Sequence, residues 1–104
     1  MAQVIWTEPA LENLNELAEY IALSNPKAAR ALVKNIFAAV ERLDTFPLSG
    51  RIPEEIKEFA YRELIVNPCR IFYKIQKEDV YILYVLRQER EVRRYIVESN
   101  KKTI

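Results

Sequence analysis

Arginine, lysine, acidic side chains and tyrosine must do any chemistry this chain performs, because it has no histidine and a single cysteine, Cys69. A Ser-His or Cys-His pair, a Cys/His zinc site and an intrachain disulfide are all excluded. The most pointed stretch is Phe46-Pro47-Leu48-Ser49-Gly50-Arg51, which sets the only glycine beside an arginine. Proline after Phe46 ends a helix, and Gly50 is expected to supply a positive φ that turns Arg51 back towards a sheet. A guanidinium is a planar fork of donors suited to carboxylate or phosphate. Arg51 therefore either caps a helix end, pairs with a glutamate such as Glu63, or joins a basic patch.

Arg62 and Arg70 fall in β-rich runs, where neighbours point to opposite faces. Arg70, Phe72 and Lys74 are expected on an exposed sheet face, with Cys69, Ile71, Tyr73 and Ile75 turned towards helices. Arg87 ends the last run, near enough to join Arg70 and Lys74. Proton transfer would fall to Lys57, Glu58, a tyrosine or a perturbed arginine. Arg87, Arg90, Arg93 and Arg94 alternate with Glu89, Glu91 and Glu98, and such pairs at helical spacing are worth tenths of a kcal/mol on a solvated face, roughly 0.2–0.5 each. Tyr95 lies beside Val92 and Ile96, where core packing explains it as well as chemistry does.

The elements that must position these groups are legible from period and punctuation. Residues 2–6 read as a short strand. Thr7 caps a helix with Glu8 and Pro9 in its first turn, and Leu11, Leu14, Leu17/Ala18 and Ile21 carry it to about Leu23. Asn25-Pro26 starts a second helix, whose stripe Ala29, Leu32/Val33, Ile36/Phe37, Val40 and Leu43 runs to about Leu43. So short a connection folds the two into an antiparallel hairpin. Residues 52–59 are polar without clear period. Three strands are expected over 60–66, 69–76 and 80–87, and the last is apolar on both faces, as in a central strand covered on both sides. Residues 88–98 have helical character. The fold class is α+β: an N-terminal strand, an antiparallel helical hairpin packed on one face of a mainly antiparallel four-stranded sheet, and a short C-terminal helix.

At 104 residues the chain is one domain, and 50% hydrophobic with 30% charged residues is a globular composition. No run approaches the roughly 20 apolar residues of a membrane span, and the start lacks a signal-peptide pattern. The reading is a cytoplasmic protein with no membrane partner. Net charge is +1, with acidic excess in residues 1–59 and basic excess in 60–104, so only the second part favours anionic partners.

Trp6-Thr7 ahead of a helix, Asn25-Pro26 ahead of another, Leu43 with Phe46-Pro47 and Gly50-Arg51, the run from Arg62 to Tyr73, and a strand ending Val85-Leu86-Arg87 together resemble the RelE/ParE superfamily of type II toxin-antitoxin toxins. The likeness covers nearly the whole chain and implies a single toxin domain over 1–104, and the long hairpin and FPxxGR look more like ParE. It implies a toxin that inhibits DNA gyrase, serves plasmid stabilisation, needs no cofactor or metal, and is neutralised by a cognate antitoxin with an acidic, amphipathic tail. The alternative it implies is a RelE-like mRNA endonuclease acting on the ribosome, with Arg51, Arg62, Arg70 and Arg87 holding the scissile phosphate and Tyr95 stacking on a base or assisting proton transfer. A third is an inactive relic that only binds. Target-binding candidates are Arg51, Arg70, Lys74, Arg87 and Arg90, and antitoxin-binding candidates are Arg90, Arg93 and Arg94. Cys69 stands where many relatives have tyrosine, and Arg87 where many have histidine.

Overall fold

Two side-chain caps set the helical half of the molecule. In the computed structural model, which describes residues 2–102 and the last two by backbone alone, Thr7 Oγ1 accepts from the Ala10 N–H at 3.4 Å and Asn25 Oδ1 from the Ala28 N–H at 3.0 Å. Each cap precedes a proline in the first turn, where a missing N–H costs nothing. The helices are α1, Glu8–Ala22, and α2, Pro26–Glu41. The expected end of α2 near Leu43 is corrected: the α-helix stops at Glu41 and tightens into a 3₁₀ turn at Arg42–Asp44 that still buries Leu43.

Strands β1, Val4–Trp6, β2, Arg62–Val66, β3, Cys69–Gln76, and β4, Asp79–Arg87, form one sheet in the order β1-β4-β3-β2. β1 runs parallel to β4 and the other pairings are antiparallel. Two strands are shorter than expected: β1 begins at Val4, and β2 begins at Arg62 because Ala60, at φ 60°, ends the preceding segment in a left-handed conformation. That segment, expected to be aperiodic, is a 3₁₀ stretch at Glu54–Phe59 that buries Ile56. The C-terminal helix α3, Val92–Lys102, starts later than residue 88 because Gln88 and Glu89 make a turn in which the Gln88 N–H donates to the Pro68 carbonyl at 2.9 Å.

The sheet is buried on both sides. Cys69, Ile71, Tyr73, Val80, Ile82 and Val85 pack under the helical hairpin. Phe72, Tyr84 and Leu86 pack under Ile56, Val92 and Ile96. Strict alternation would not put Ile82 and Val85 on one face. The register supplies the reason: Tyr73 pairs with Ile82 and Phe72 with Tyr84, so Leu83 is an extra residue, and this bulge switches the parity of β4. Full burial of Val92 and Ile96 by α3 contributes about 1.5–3 kcal/mol each.

Candidate functional site

Arg51 is held to the sheet by one rung of main-chain pairing, its N–H donating to the Glu63 carbonyl at 3.0 Å and its carbonyl accepting from the Glu63 N–H at 2.8 Å. Just before it the chain passes unusually close to Tyr73. The Gly50 N–H donates to Tyr73 Oη at 2.9 Å, and that hydroxyl donates to the Pro47 carbonyl at 2.8 Å. A Cβ at position 50 would stand 2.5 Å from Tyr73 Oη and 2.8 Å from the Glu63 carbonyl oxygen. The glycine is there for this approach, and not for the positive φ expected of it, since its φ is not positive.

The side chains carry the connection onward. Glu63, with a side chain only 1% exposed, accepts from Arg51 Nε at 2.8 Å on one oxygen and from Arg70 Nε at 2.6 Å on the other. Arg70 Nη2 reaches the Glu55 carboxylate at 2.5 Å. Arg93 donates to the Glu55 carbonyl at 2.7 Å and pairs with Glu58 at 2.6 Å. Charge thus alternates from Arg51 through Glu63 and Arg70 to Glu55, tying β2, β3 and the 3₁₀ stretch together, with Arg93 bringing in α3. Burial opposes the charge on Arg70, but Glu63 and Glu55 outweigh it and hold its pKa above the usual arginine value. A backbone hydrogen bond and Arg93 hold the Glu58 carboxyl below the usual glutamate range.

The expected basic face is therefore corrected. Arg70, Phe72 and Lys74 do turn away from the hairpin, but α3 and the 3₁₀ stretch cover that side, and the Arg70 side chain is 12% exposed, stacked 4.9 Å from the Phe72 ring. Lys74 stands over Tyr81 at 6.0 Å. Arg62 donates to the Gly50 carbonyl at 2.7 Å and the Leu48 carbonyl at 3.3 Å, so it clamps the glycine loop. Arg87 does not join Arg70 and Lys74: its guanidinium lies 5.9 Å from the Tyr20 ring of α1, on the hairpin side, and pairs with Glu89 at 2.6 Å. Arg94 pairs with Glu98 one turn on, at 3.2 Å, while Arg90 lies 4.9 Å from the Tyr95 ring. Tyr95 packs edge-on against Tyr84, and its hydroxyl accepts from Asn13 Nδ2 at 2.8 Å. Of the basic residues named from the sequence, Arg51 and Arg70 thus meet across Glu63, while Arg87 and Arg90 line a separate groove against α1.

Two contributors escaped the sequence reading. Asn13 sat among the polar face of α1, yet its amide spans from the Val85 N–H, at 3.1 Å, to Tyr95; nothing in the helical period marks it. Tyr73 was placed correctly on the helix side, but its bonds to Pro47 and Gly50 lie 26 and 23 residues away in sequence. Burial pushes the Cys69 thiol upward, so it stays protonated and is no nucleophile at neutral pH.

Burial likewise raises the phenol of Tyr73, against the opposing pull of the Gly50 N–H and Arg62, and burial raises those of Tyr61 and Tyr84. A phenol whose pKa is higher in the fold than in the unfolded chain contributes stability in full below the unfolded value, about 10, and loses it as pH rises through the folded value. Urea unfolding across pH is expected to show stability falling above about pH 10. Tyr73→Phe should be less stable at pH 7 by about 1–3 kcal/mol, for its unsatisfied Pro47 and Gly50 partners, yet fall less steeply in alkali.

Among the described residues no helix is long and apolar enough to cross a membrane, and no cluster of acidic or sulfur side chains is placed to hold a metal ion. Residues 4–92 match the family described as ParE toxin of type II toxin-antitoxin system, parDE. The chain is 41% identical over 86 residues to Y4kP of Sinorhizobium fredii, covering 81% of this chain and 85% of that one. It is 31% identical over 87 residues to toxin ParE3 of Caulobacter vibrioides, covering 83% and 86%, and 35% identical over 68 residues to toxin RelE2 of the same organism, covering 65% and 73%. In fold it is similar to a chain of the chromosomal ParDE system from P. aeruginosa, with a TM-score of 0.73 and 22% identity over 86% of this chain and 98% of that chain.

Proposed function

The chain belongs to the ParE toxin family of type II toxin-antitoxin systems, and on that premise we propose that it acts in the cytoplasm by binding and inhibiting DNA gyrase, in the service of plasmid stabilisation, and is neutralised by a cognate antitoxin. This reading of the target is supported by how the arginines are used: Arg70 is held by the buried Glu63 and by Glu55, Arg62 by backbone carbonyls, and Arg51 and Arg87 each pair with a glutamate. A site that cuts a phosphodiester bond needs open cations around the phosphate and a proton acceptor beside the attacking hydroxyl. Here an internal carboxylate occupies the place between Arg51 and Arg70. A net charge of +1 also suits a protein partner better than the crowded phosphates of ribosomal RNA. Antitoxin partnership draws support from the solved relatives, which include a ParDE system and a RelBE2 toxin-antitoxin complex.

The test is pulse-labelling of DNA and protein synthesis in the minutes after the chain is induced without an antitoxin. DNA synthesis is expected to fall first, and purified chain to inhibit supercoiling by gyrase. Earlier loss of protein synthesis, with new mRNA ends by primer extension, would reject gyrase in favour of ribosome-dependent mRNA cleavage. Unimpaired growth would leave a binding module.

A further inference from the structure

The helical hairpin has an apolar side that the sheet does not use. Away from the core, a groove of about 480 Å³ runs along the seam between α1 and α2, floored by Ala18, Ala22, Ala29 and Val33 and rimmed by Glu19, Arg30 and Lys34. Helical spacing extends this strip to Leu11, two turns before Ala18, and to Phe37, one turn after Val33. Both are large apolar side chains, 46% and 43% exposed.

The two helices are also opposite in charge. α1 carries Glu8, Glu12, Glu16 and Glu19 and no lysine or arginine, whereas α2 carries Lys27, Arg30 and Lys34 and one acidic residue, Glu41, at its far end. Among the described residues none of these side chains enters an ion pair; the Glu19 carboxylate accepts a hydrogen bond from Asn15 Nδ2 at 3.0 Å. Counting back equally from the turn between Ala22 and Pro26 sets Glu19 level with Ala29, beside Arg30.

We propose that this face is closed by a second copy of the chain, hairpin on hairpin, about a twofold axis that runs along the groove. That axis lays α1 of one copy over α2 of the other, so Glu19 meets the second copy's Arg30 and the same contact is made twice. Every helix then runs antiparallel to both neighbours, as in an up-down four-helix bundle, and the two sheets stay outside. A twofold across the helices would instead set α1 on α1, acid against acid, so the charge pattern selects the first arrangement. Helices of 15 and 16 residues are about 23 Å long, and a face two helices wide buries about 900 Å² in all, the low end for a specific interface. The dimer is therefore a reversible one.

The test is sedimentation equilibrium of the full chain between about 1 and 200 µM, where a monomer–dimer equilibrium is expected. Glu19→Arg alone, or Arg30→Glu alone, should weaken dimerisation about tenfold or more, because each replaces two attractive contacts by two repulsive ones. An equimolar mixture of the two variants should associate with native affinity, within about threefold, since each new charge then meets its opposite. Urea midpoints should stay native, both side chains being exposed, so a lost dimer is not a lost fold. The proposal is overturned if the chain is a monomer throughout, if neither exchange weakens the dimer, or if the mixture fails to recover it. It is overturned also if the chain stays monomeric while a capped helical peptide of alanine, leucine and glutamate shifts the Ala18 and Val33 amides in NMR spectra, which would give the groove to a foreign helix. Pulse-labelling and sedimentation are separate readouts, and failure of one leaves the other standing.

Discussion

Replacing Glu63 by alanine is expected to lower folding stability by about 3–5 kcal/mol, read as a fall in the urea midpoint with an unchanged slope. The size follows from what is left behind. Arg70 is nearly buried and would keep only the Glu55 carboxylate, which is itself half-exposed and reached from a 3₁₀ stretch. The central anion also sets the order of neighbouring substitutions. Arg51→Ala should cost less than about 1 kcal/mol in side-chain terms, because the Arg51 side chain is 69% exposed and its main-chain rung survives. Glu63→Gln should fall between, keeping an acceptor but not the charge. Equal, small losses for Glu63→Ala and Arg51→Ala would show that the buried carboxylate is not the keystone of this side of the sheet.

Gly50→Ala is expected to cost more than about 3 kcal/mol. The added methyl meets the Tyr73 hydroxyl, the Tyr73 ring at 2.7 Å and a strand carbonyl together. None of these is the loose end of a flexible side chain, since Tyr73 is fully buried. The loop must therefore lift, breaking the bonds from Tyr73 to Pro47 and from Gly50 to Tyr73, and loosening the Arg51 rung beside them. Coupling gives the check. In a Tyr73→Phe background the hydroxyl contact is gone, so Gly50→Ala should cost at least about 1 kcal/mol less there than in the native chain. Strict additivity of the two changes would refute the close-approach account of this glycine.

The helical hairpin was legible because its signals are local: a cap, a proline and a stripe of apolar residues lie within a few turns of each other. The β3 faces were legible for the same reason, since alternation from Cys69 to Ile75 needs no knowledge of the partner strand. The β4 bulge was not, because its apolar residues run unbroken and only the pairing of Phe72 with Tyr84 reveals that Leu83 is extra. The Glu54–Phe59 stretch was missed since a 3₁₀ segment gives no 3.6-residue stripe. In the candidate site, the pairing of Arg51 with Glu63 was among the readings the sequence offered. The burial of Arg70 was not, because it depends on α3 and the 3₁₀ stretch closing over a face that alternation alone left open. Arg87 was assigned to the wrong neighbourhood for a related reason: the bulge inverts which face the end of β4 presents.

The rung between Arg51 and Glu63 bears also on how the chain behaves when concentrated. An open sheet ends in a row of outward donors and acceptors that can template the addition of further copies, and long flat margins of this kind seed fibres. On β2 that row is interrupted near the start of the strand, because the outward N–H and C=O of Glu63 are already bonded to Arg51. The exposed guanidinium sets a positive charge on the same margin, so identical copies meet like charge where they would have to pair. The residues that hold the buried glutamate thus also act as a stopper against self-templated growth of the sheet.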